Sequence, residues 1–422
     1  MSAKLTRRNL IKKSAATAIA GTAAALTTPI TRASESSAAP PPAKGVDYYA
    51  KLGVTPFINA AGTYTTLSAS TMPEEVQAAI ALASLQPVNI VELQDAAGEY
   101  LAKRLKCEAA LITAGAAAAL TVGTAACITH GNEKAILDIP VDMANLKNEV
   151  IVQKTHRYGY DHALRNCGIK FVEVETLEDY EKAFTDKTVM AHFFNAAEGK
   201  ISREDWIRVA HQHNVPCFND AAADVPPISN LWNYTQMGFD LVTFSGGKGL
   251  RGPQCTGLLL GRKDLIAAAK ANNSPNSNTV GRGMKVAKEE MVGLVAAIDW
   301  FLAQDDAAMQ AEYQKRADLI AAKLKTLPTV QTQTFVPPVA NRVPHLVISY
   351  DQSKIKISAT DVMKQMRAGT PRIELNPSTG GAPASAGLPG GSNVIVVGVW
   401  MLQPGEDAIV ASRLYDVLHS AL

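Results

Sequence analysis

The chain has 422 residues, of which 47% are hydrophobic and 19% are charged, and its formal net charge at pH 7 is +2. This composition is typical of a globular protein with room for one large and one smaller domain. Six positive charges and no negative charge lie within the first 33 residues, so the rest of the chain has a net charge of −4. A mildly acidic chain lacks the basic surface of a nucleic-acid-binding protein, and we expect no nucleic acid partner.

Residues 1–33 have the pattern of an export signal. A basic start with the pair Arg7 and Arg8 precedes a weakly apolar run of Ala, Thr and Gly, which ends in small residues near Ala33. The pattern predicts a twin-arginine signal peptide that is removed, and hence a periplasmic or other extracytoplasmic location. Residues 34–86 are interpreted as a Ser/Ala/Pro-rich linker followed by an N-terminal arm.

From 87 to 300, short apolar runs alternate with amphipathic segments. Helical patterns lie between several of the strand candidates, as at 95–106 and 203–213. Strands that alternate with helices predict parallel βαβ units, and ligands bind beyond the carboxyl ends of such strands. The predicted strands are 109–113, 150–153, 171–174, 189–194, 216–220, 241–244 and 256–261.

The segment 109–128 is nearly free of charge, so a membrane span is one possible interpretation. It consists mostly of Ala, Gly and Thr, which are weakly apolar. A strand at 109–113, a turn at Gly115 and a buried helix explain it better, and we expect no membrane span in the mature chain.

Residues 301–422 form a second predicted unit of smaller size. A helical region continues to about Leu327, strands are expected near 329–335, 343–349 and 394–400, and helices at 359–368 and 406–421. Residues 376–393, rich in Gly, Pro and Ser, are predicted to form a mobile loop. The fold class is therefore α/β, with a large, mostly parallel sheet domain and a smaller α+β C-terminal domain.

The cysteines give no sign of a metal site. The five cysteines lack a C-x-x-C pair and lack metal-ligand spacing. Because their number is odd, at least one is unpaired within the chain. We predict no metal.

The segment FSGGKGLRGPQCTGLLLG (244–261) places Lys248 in a glycine-rich turn. A Walker loop requires Ser or Thr after its lysine, and here Gly249 follows; a G-x-G-x-x-G fingerprint is also missing. ATP and NAD are therefore disfavoured. The turn alone leaves two interpretations open, a lysine that bonds covalently to a ligand or a solvated surface charge.

Reactive residues at the predicted strand ends narrow that choice. Asp220 and Ser245 each end a strand, Gly115 precedes a helix whose N-terminus favours an anion, and His156 follows another strand. Pyridoxal phosphate needs such a set: a lysine for a Schiff base, a carboxylate for its pyridinium nitrogen, and donors for its phosphate.

The chain resembles fold-type I pyridoxal-phosphate enzymes, and among them the selenocysteine synthase / D-glucosaminate-6-phosphate ammonia-lyase group. The similarity extends through most of the mature chain. It is carried by segments 53–70, 98–120, 156–175, 219–227, 244–266 and 281–294, which include HRYGYDHALRNCG, NDAAADVPP and FSGGKGLRGPQCTG.

The resemblance implies specific roles for the strand-end residues. Lys248 would form the Schiff base and carry the proton at the substrate Cα. Asp220 would pair with the pyridine nitrogen, with Ala222 against one face of the ring and His156 stacked on the other. Ser245 and the turn residues would hold the phosphate, the turn residues being Gly115, Ala116 and Ala117.

Further residues are expected to contact anionic groups or the substrate. Arg251 and Arg282 would contact an anionic group, either the cofactor phosphate or the substrate. Arg372 lies where this superfamily binds a substrate carboxylate. Asn59 and Thr63 would reach the pocket, either that of their own chain or that of a neighbouring subunit. The resemblance also implies a homodimer or larger assembly.

The reaction predicted from the resemblance is an α,β-elimination of the ammonia-lyase type on an amino acid or amino sugar acid. An amino-acid racemase or aldolase on the same scaffold is the main alternative. A selenocysteine-synthase-type transferase is disfavoured by the export signal and the acidic mature chain, since its tRNA substrate is cytoplasmic. A non-catalytic binding protein is disfavoured by the intact Lys248, Asp220 and His156. Two departures from the family are the long 376–393 loop and the export signal.

Overall fold

The computed structural model describes residues 45–381 and 387–422. The predicted export signal, the start of the predicted linker and part of the predicted mobile loop lie outside the described residues. The chain divides into two compact units, Met1–Val54 and Thr55–Leu422. The described part of the first unit contains helix α1 (Tyr48–Leu52), capped by Asp47, whose carboxylate accepts a hydrogen bond from the Ala50 amide.

A seven-stranded sheet forms the centre of the second unit. Its strand order is β2-β8-β7-β6-β5-β3-β4, and β8 runs antiparallel to both of its neighbours while the other pairs are parallel. All seven predicted strands are confirmed within one or two residues. They are β2 (Ala109–Thr113), β3 (Glu149–Gln153), β4 (Lys170–Val174), β5 (Thr188–Phe194), β6 (Cys217–Asp220), β7 (Leu241–Ser245) and β8 (Gly257–Gly261).

Helices cover both faces of this sheet, as the α/β pattern requires. Side chains of each strand alternate between two buried clusters: Ile112 and Phe244 belong to one, and Leu111 and Leu241 to the other. The helices of this part are α2 (Glu74–Ser84), α3 (Ile90–Arg104), α4 (Gly115–Thr129), α5 (Glu133–Asp138), α6 (His162–Arg165), α7 (Leu177–Lys182), α8 (Arg203–Gln212), α9 (Asn230–Met237), α10 (Lys263–Ala271) and α11 (Lys288–Leu302).

Strand β2 and helix α4 confirm the interpretation of the 109–128 segment. Every residue of α4 from Ala118 to Thr129 is buried, so the helix is apolar all round because protein surrounds it. Gly123 lets it approach the sheet closely, since a Cβ at that position would meet the Phe218 ring. Among the described residues, no helix has the length and hydrophobicity needed to cross a membrane.

The C-terminal third forms a second core. A three-stranded antiparallel sheet has the order β12-β10-β9, and the core includes residues from the three helices beside it. The strands are β9 (Gln331–Phe335), β10 (His345–Ser349) and β12 (Val394–Gly398); the helices are α12 (Asp306–Leu324), α13 (Ala359–Ala368) and α14 (Glu406–His419).

A short pairing escaped the sequence analysis. Strand β1 (Ile58–Ala60) runs parallel to β11 (Ile373–Leu375), and Ile58 and Ala60 are buried in the second core. Three-residue strands carry too little periodicity to be recognised from sequence. The pairing places the segment after β1, residues 61–65, beside the sheet edge described next.

Candidate active site

A cavity of about 520 Å³ lies at the edge of the large sheet where the parallel strands end. Phe194, Asp220 and Ser245 enter its lining at or near the ends of β5, β6 and β7, as expected for an α/β sheet. The C-terminal third contributes further lining residues, which include Asn341, His345, Asn376, Leu388 and Trp400. The cavity therefore lies between the two cores of the second unit.

Eight of the predicted site residues come together in this lining. They are Lys248, Asp220, Ala222, Ser245, Gly115, Ala116, Ala117 and Thr63. The first and last of them, Thr63 and Lys248, are 185 positions apart in the sequence. The grouping of the lysine, the carboxylate and the glycine turn follows from the strand order.

Lys248 is half-buried at the cavity, in the loop between β7 and β8. Burial lowers the pKa of its ammonium group, while the carboxylates of Asp220 and Asp224 oppose that effect. A lowered pKa increases the fraction of neutral amine near pH 7, and a neutral amine is the form that acts as a nucleophile or a base. Within the described part of the lining, His345 is a second basic group, but burial lowers its pKa to about 4 and keeps it neutral.

The glycines beside Lys248 permit close backbone packing. A Cβ at Gly249 would overlap the Val225 carbonyl, and one at Gly247 would overlap the backbone of Gln254. Larger residues at either position would push the loop away from the sheet edge. The glycine-rich sequence of the turn therefore fixes where the lysine lies.

Asp220 is 3% exposed and makes two hydrogen bonds. Its Oδ1 accepts from the Ala222 amide at 3.0 Å, and its Oδ2 accepts from the Tyr158 hydroxyl. Burial raises the pKa of the carboxyl, and the hydrogen bond from Tyr158 counteracts that rise. Tyr158 thus favours the ionised form that a pyridinium partner requires.

Tyr158 belongs to an aromatic group behind Asp220 that sequence reasoning missed. Its ring stacks on Phe194 with centroids 3.8 Å apart, and its hydroxyl lies 3.3 Å from His192 Nε2. Burial lowers the pKa of His192 to about 3, so this ring is neutral. Tyr158 lies in the HRYGYD motif two residues after His156, but its contact with Asp220, 62 residues further along the chain, has no local sequence signal.

Among the described residues, none caps the first amide groups of helix α4. Its first position, Gly115, has φ +84°, and Ala114 provides no side-chain cap, so the first amides of the helix remain available. A Cβ at Gly257 would overlap the carbonyl of Gly115, which shows how closely β8 approaches this turn. Backbone donors, the helix dipole and Ser245 at the same cavity fit a phosphate group.

Five predicted site residues are not brought to the cavity lining. His156 is fully buried, where its Nδ1 accepts a hydrogen bond from the Phe194 amide at 3.2 Å and its ring meets Phe193 edge-on. Phe194 lines the cavity instead. The expected stacking of His156 on a cofactor ring therefore finds no support in this geometry.

The predicted arginines are engaged elsewhere. Arg251 donates to the backbone oxygen of Thr71 at 2.8 Å, and Arg372 forms an ion pair with the buried Glu374. Arg282 is exposed outside the cavity lining. The Asn59 side chain holds its own turn, accepting hydrogen bonds from the amides of residues 61 and 62.

Several unpaired polar atoms belong to lining residues that the sequence analysis did not select. Among the described residues, Asp224 Oδ1, Asn341 Nδ2 and Trp400 Nε1 are buried without a hydrogen-bond partner. Buried polar atoms are normally paired, so these three are suited to a polar ligand. Asp224 lies within the quoted NDAAADVPP segment, four residues after Asp220, which is a signal that was visible in the sequence.

A second cluster, at the opposite edge of the sheet, has metal-ligand residue types. Ligand atoms of His211, Cys217 and Asp240 lie within 4.8 Å of one another. Asp240 already accepts from His211 Nε2, the Cys217 amide and Arg262 at 2.7 to 3.2 Å. These contacts satisfy the carboxylate and explain the cluster as a structural one.

The residues at the cavity fit pyridoxal phosphate. The aldehyde, ring nitrogen and phosphate of this cofactor need a lysine of lowered pKa, a carboxylate held by a phenol, and a helix start without a side-chain cap. Lys248 would hold the aldehyde carbon, Asp220 the ring nitrogen, and residues 115–117 with Ser245 the phosphate.

Comparisons with known proteins agree with this fit. D-glucosaminate-6-phosphate ammonia lyase of Salmonella typhimurium is 30% identical over 391 residues, which cover 88% of this chain and 98% of that one. A 5'-C-glycyluridine monooxygenase-decarboxylase of a Streptomyces species is 29% identical over 342 residues, covering 78% of this chain and 83% of its own.

Solved structures show the same fold. The structure of D-glucosaminate-6-phosphate ammonia-lyase matches with a TM-score of 0.75 at 27% identity, covering 89% of this chain and 99% of its own. A structure of SPT with PLP shares the fold at 12% identity, with a TM-score of 0.54 and coverage of 86% and 88%. The predicted fold-type I architecture is confirmed.

The predicted cofactor and enzyme class are also confirmed: the protein is a pyridoxal-phosphate-dependent enzyme of the lyase type. A family model described as L-seryl-tRNA selenium transferase (SelA) matches residues 57–376, about three quarters of the sequence. This segment spans the whole large sheet and the β1–β11 pair. The chain belongs to the SelA family.

Proposed function

We propose that this protein is an ammonia lyase that removes a β-substituent from an amino acid or amino sugar acid after Lys248 takes the Cα proton. The observation that carries this proposal is the half-buried Lys248, whose amine has a lowered pKa, in one cavity with Asp220 and the start of helix α4. The similarity to the Salmonella ammonia lyase along nearly its full length supports the same reaction class.

Bound pyridoxal phosphate supplies an electron sink for negative charge at the substrate Cα. Asp220, held by the Tyr158 hydroxyl and the Ala222 amide, presents a fixed negative charge at the cavity edge. Lys248 accepts a proton at Nζ and returns one later in the cycle. The walls of the cavity limit the water around this amine, which keeps its pKa low.

The substrate carboxylate requires donors, and the predicted Arg372 is paired with Glu374 instead. Asn341 Nδ2 and Trp400 Nε1, both unpaired donors of lining residues, are the side chains that we propose for this role. Both residues come from the C-terminal third, whereas the residues proposed to hold the cofactor come from the part of the chain that forms the large sheet.

The test is a product analysis with purified protein and pyridoxal phosphate. D- and L-amino acids and amino sugar acids, with and without a phosphate, are screened for change in the cofactor spectrum, and products are then identified by NMR. Keto acid and ammonium are expected. The mirror-image amino acid would indicate a racemase, and glycine with an aldehyde would indicate an aldolase; either product would replace the lyase assignment.

We also propose export by the twin-arginine pathway, supported by Arg7, Arg8 and the acid-free start of the chain. Fractionation of cells that express the full chain or an R7K/R8K variant tests it. The wild type is expected outside the cytoplasm in shortened form, and the variant inside at full length. Equal distribution of the two would contradict the proposal.

A homodimer is proposed on the basis of apolar side chains that the second unit exposes around α2 and α3. Leu82, Leu85 and Val88 are 70%, 74% and 56% exposed. Exposed apolar side chains that form one patch mark protein–protein contacts, and these three lie within seven residues of one another along the chain. Light scattering coupled to gel filtration is expected to give twice the mass of the mature chain; a monomer at micromolar concentration would contradict it.

A further inference from the structure

His192 is a buried polar side chain to which the site described so far gives no role. It lies on β5, fully buried, and its ring meets the Phe218 ring edge-on. A polar group in such surroundings costs free energy unless it is hydrogen-bonded. In the part of the chain that the structure describes, its Nδ1 has no partner, so the side-chain contact that offsets this cost is that of Nε2 with Tyr158.

The Tyr158 ring connects His192 to Asp220. Strands β5 and β6 are parallel neighbours, with His192 opposite Phe218 and Phe194 opposite Asp220. The Tyr158 ring stacks on Phe194 and lies nearly parallel to the His192 ring, at 11° with centroids 6.0 Å apart. One hydroxyl group is therefore shared by the carboxyl group at the cavity and the histidine behind it.

The charge of Asp220 decides the direction of these hydrogen bonds. An ionised carboxylate only accepts, so the single hydroxyl hydrogen of Tyr158 points to Asp220 Oδ2. The Tyr158 oxygen then presents lone pairs to His192 Nε2, which lies 3.3 Å away. Two acceptors at this distance would repel each other. The proton of the neutral imidazole therefore lies on Nε2, which donates to the Tyr158 oxygen.

The groups around His192 and Tyr158 keep both side chains in the required protonation states. Burial lowers the pKa of His192 to about 3 and His156 adds to this effect, while Asp161 and the Phe218 backbone oppose it. Burial raises the pKa of Tyr158, and the charge of Asp161 acts in the same direction. From about pH 5 to about pH 8 the imidazole is thus neutral and the phenol keeps its hydrogen.

Asp220 faces two further charged groups besides Tyr158. Burial raises the pKa of Asp220, and the charge of Lys248 lowers it. Asp224 is close enough for the two carboxylates to repel each other. Neither Lys248 nor Asp224 is changed in the comparisons below, so their effects cancel when a variant is divided by wild type.

The direction of the Tyr158 hydrogen matters because ionised Asp220 is the form that pairs with a protonated ring nitrogen. We propose that His192 is a positioning residue of the cofactor site, which holds the Tyr158 oxygen and thereby directs the Tyr158 hydroxyl hydrogen to Asp220. Without this contact the hydroxyl rotates more freely and stabilises the carboxylate less. The inference goes beyond the proposed lyase reaction, since it concerns cofactor binding and holds for any substrate.

The test is the affinity for pyridoxal phosphate, measured by equilibrium dialysis of the holoenzyme from about pH 5 to about pH 8. At the acid end, His192→Leu is expected to bind the cofactor about fivefold more weakly than wild type, because binding there requires Asp220 to lose a proton. At the alkaline end, where Asp220 is ionised with or without cofactor, the difference should be within about twofold. An equal loss at both ends, or no loss, would overturn the proposal.

Two variants serve as matched controls. His192→Gln has an amide that can donate to the same oxygen, so its affinity is expected to stay within about twofold of wild type at every pH. His213→Leu removes an exposed histidine that stacks on Phe184 outside the cavity lining, and it should leave the affinity unchanged. A His192→Gln protein that loses as much affinity as His192→Leu would contradict the positioning role.

A double-mutant comparison separates positioning from packing. Tyr158→Phe keeps the ring but lacks the hydroxyl group that His192 is proposed to hold. In that background, His192→Leu is expected to weaken binding by less than about twofold beyond Tyr158→Phe alone. Additive losses would show that His192 acts by packing. Urea unfolding of each variant confirms that the proteins compared are folded.

The position of the proton gives a check that needs no His192 variant. In holoenzyme with ¹⁵N-labelled histidines, NMR shows which nitrogen of each ring carries hydrogen, and the His192 signals are identified by their change in Tyr158→Phe. The proton is expected on Nε2. A proton on Nδ1 would make Nε2 a competing acceptor for the Tyr158 hydrogen and would overturn the proposal. Because neither measurement depends on turnover, its failure would leave the proposed lyase reaction standing.

Discussion

The two edges of the large sheet carry cavities of similar size and different chemistry. The one at the amino ends of the parallel strands has about 450 Å³ and contains Asp240; the one at the carboxyl ends has about 520 Å³ and contains Asp220 and Asp224. Asp240 is saturated by Arg262, His211 and the Cys217 amide. Buried carboxylates alone therefore do not mark a functional site.

The two edges differ in which polar groups the surrounding protein leaves without a hydrogen-bond partner. At the amino-end edge every contact of Asp240 comes from the protein, which is typical of a structural ion pair. At the carboxyl-end edge, within the part of the chain that the structure describes, Asp224 Oδ1 lacks a partner and the first turn of α4 lacks a side-chain cap, while Lys248 has a lowered pKa. A ligand completes such a site, whereas the opposite edge is complete without one.

The largest expected effect is that of Lys248→Ala. Loss of the amine removes both the covalent contact to pyridoxal phosphate and the base at Cα, so activity is expected to fall at least about a thousandfold. The near-visible absorbance of the lysine-bound cofactor is expected to disappear. Lys263→Ala, a change of an exposed lysine at the start of α10, is the control and should retain both. An unchanged spectrum in Lys248→Ala would show that Lys248 does not bind the cofactor, and would contradict the assignment of the site.

Asp220→Asn is expected to have the next largest effect. The amide keeps the shape but removes the charge that holds the ring nitrogen protonated, and kcat is expected to fall about a hundredfold. Cofactor loading, measured by absorbance after dialysis, should weaken as well. Full activity in this variant would show that the reaction does not need the Asp220 charge, and would contradict a catalytic role for the carboxyl-end edge of the sheet.

Tyr158→Phe is expected to change the pH profile by a smaller amount. The phenol lowers the pKa of Asp220, so its loss raises that pKa. Activity requires ionised Asp220, and the acid limb of kcat/KM is therefore expected to move to higher pH, with about a tenfold loss on that limb. Tyr100→Phe, which removes a Tyr–Asp hydrogen bond at the surface, is the matched control and should leave the profile unchanged.

Asp240→Asn tests the structural role proposed for the amino-end edge of the sheet. The change weakens the contacts with Arg262 and His211, and we expect a loss of about 2 kcal/mol in the free energy of unfolding. The kcat per folded molecule should stay within twofold of wild type, because this carboxylate lies at the far edge. Urea unfolding and kinetics on the same sample measure both. A large loss of kcat without a loss of stability would reverse the assignment of the two edges.

The sequence by itself determined the architecture and the centre of the site. Alternating strand and helix patterns predicted the large sheet, because periodicity is local and each apolar strand lies within a few residues. Asp220 and Ser245 were found because each ends a strand, and Gly115 and Lys248 because each follows a strand in a glycine-containing turn; the carboxyl ends of parallel strands meet at one edge.

The tertiary structure decided which of the other polar residues reach that edge. Whether an arginine such as Arg372 is free depends on a partner, here Glu374, and whether His156 faces the cavity depends on packing around β5. The same holds for Tyr158 behind Asp220 and for the unpaired Oδ1 of Asp224. Apart from the Arg372–Glu374 pair, these contacts join residues far apart in the chain, and local sequence patterns carry no record of them.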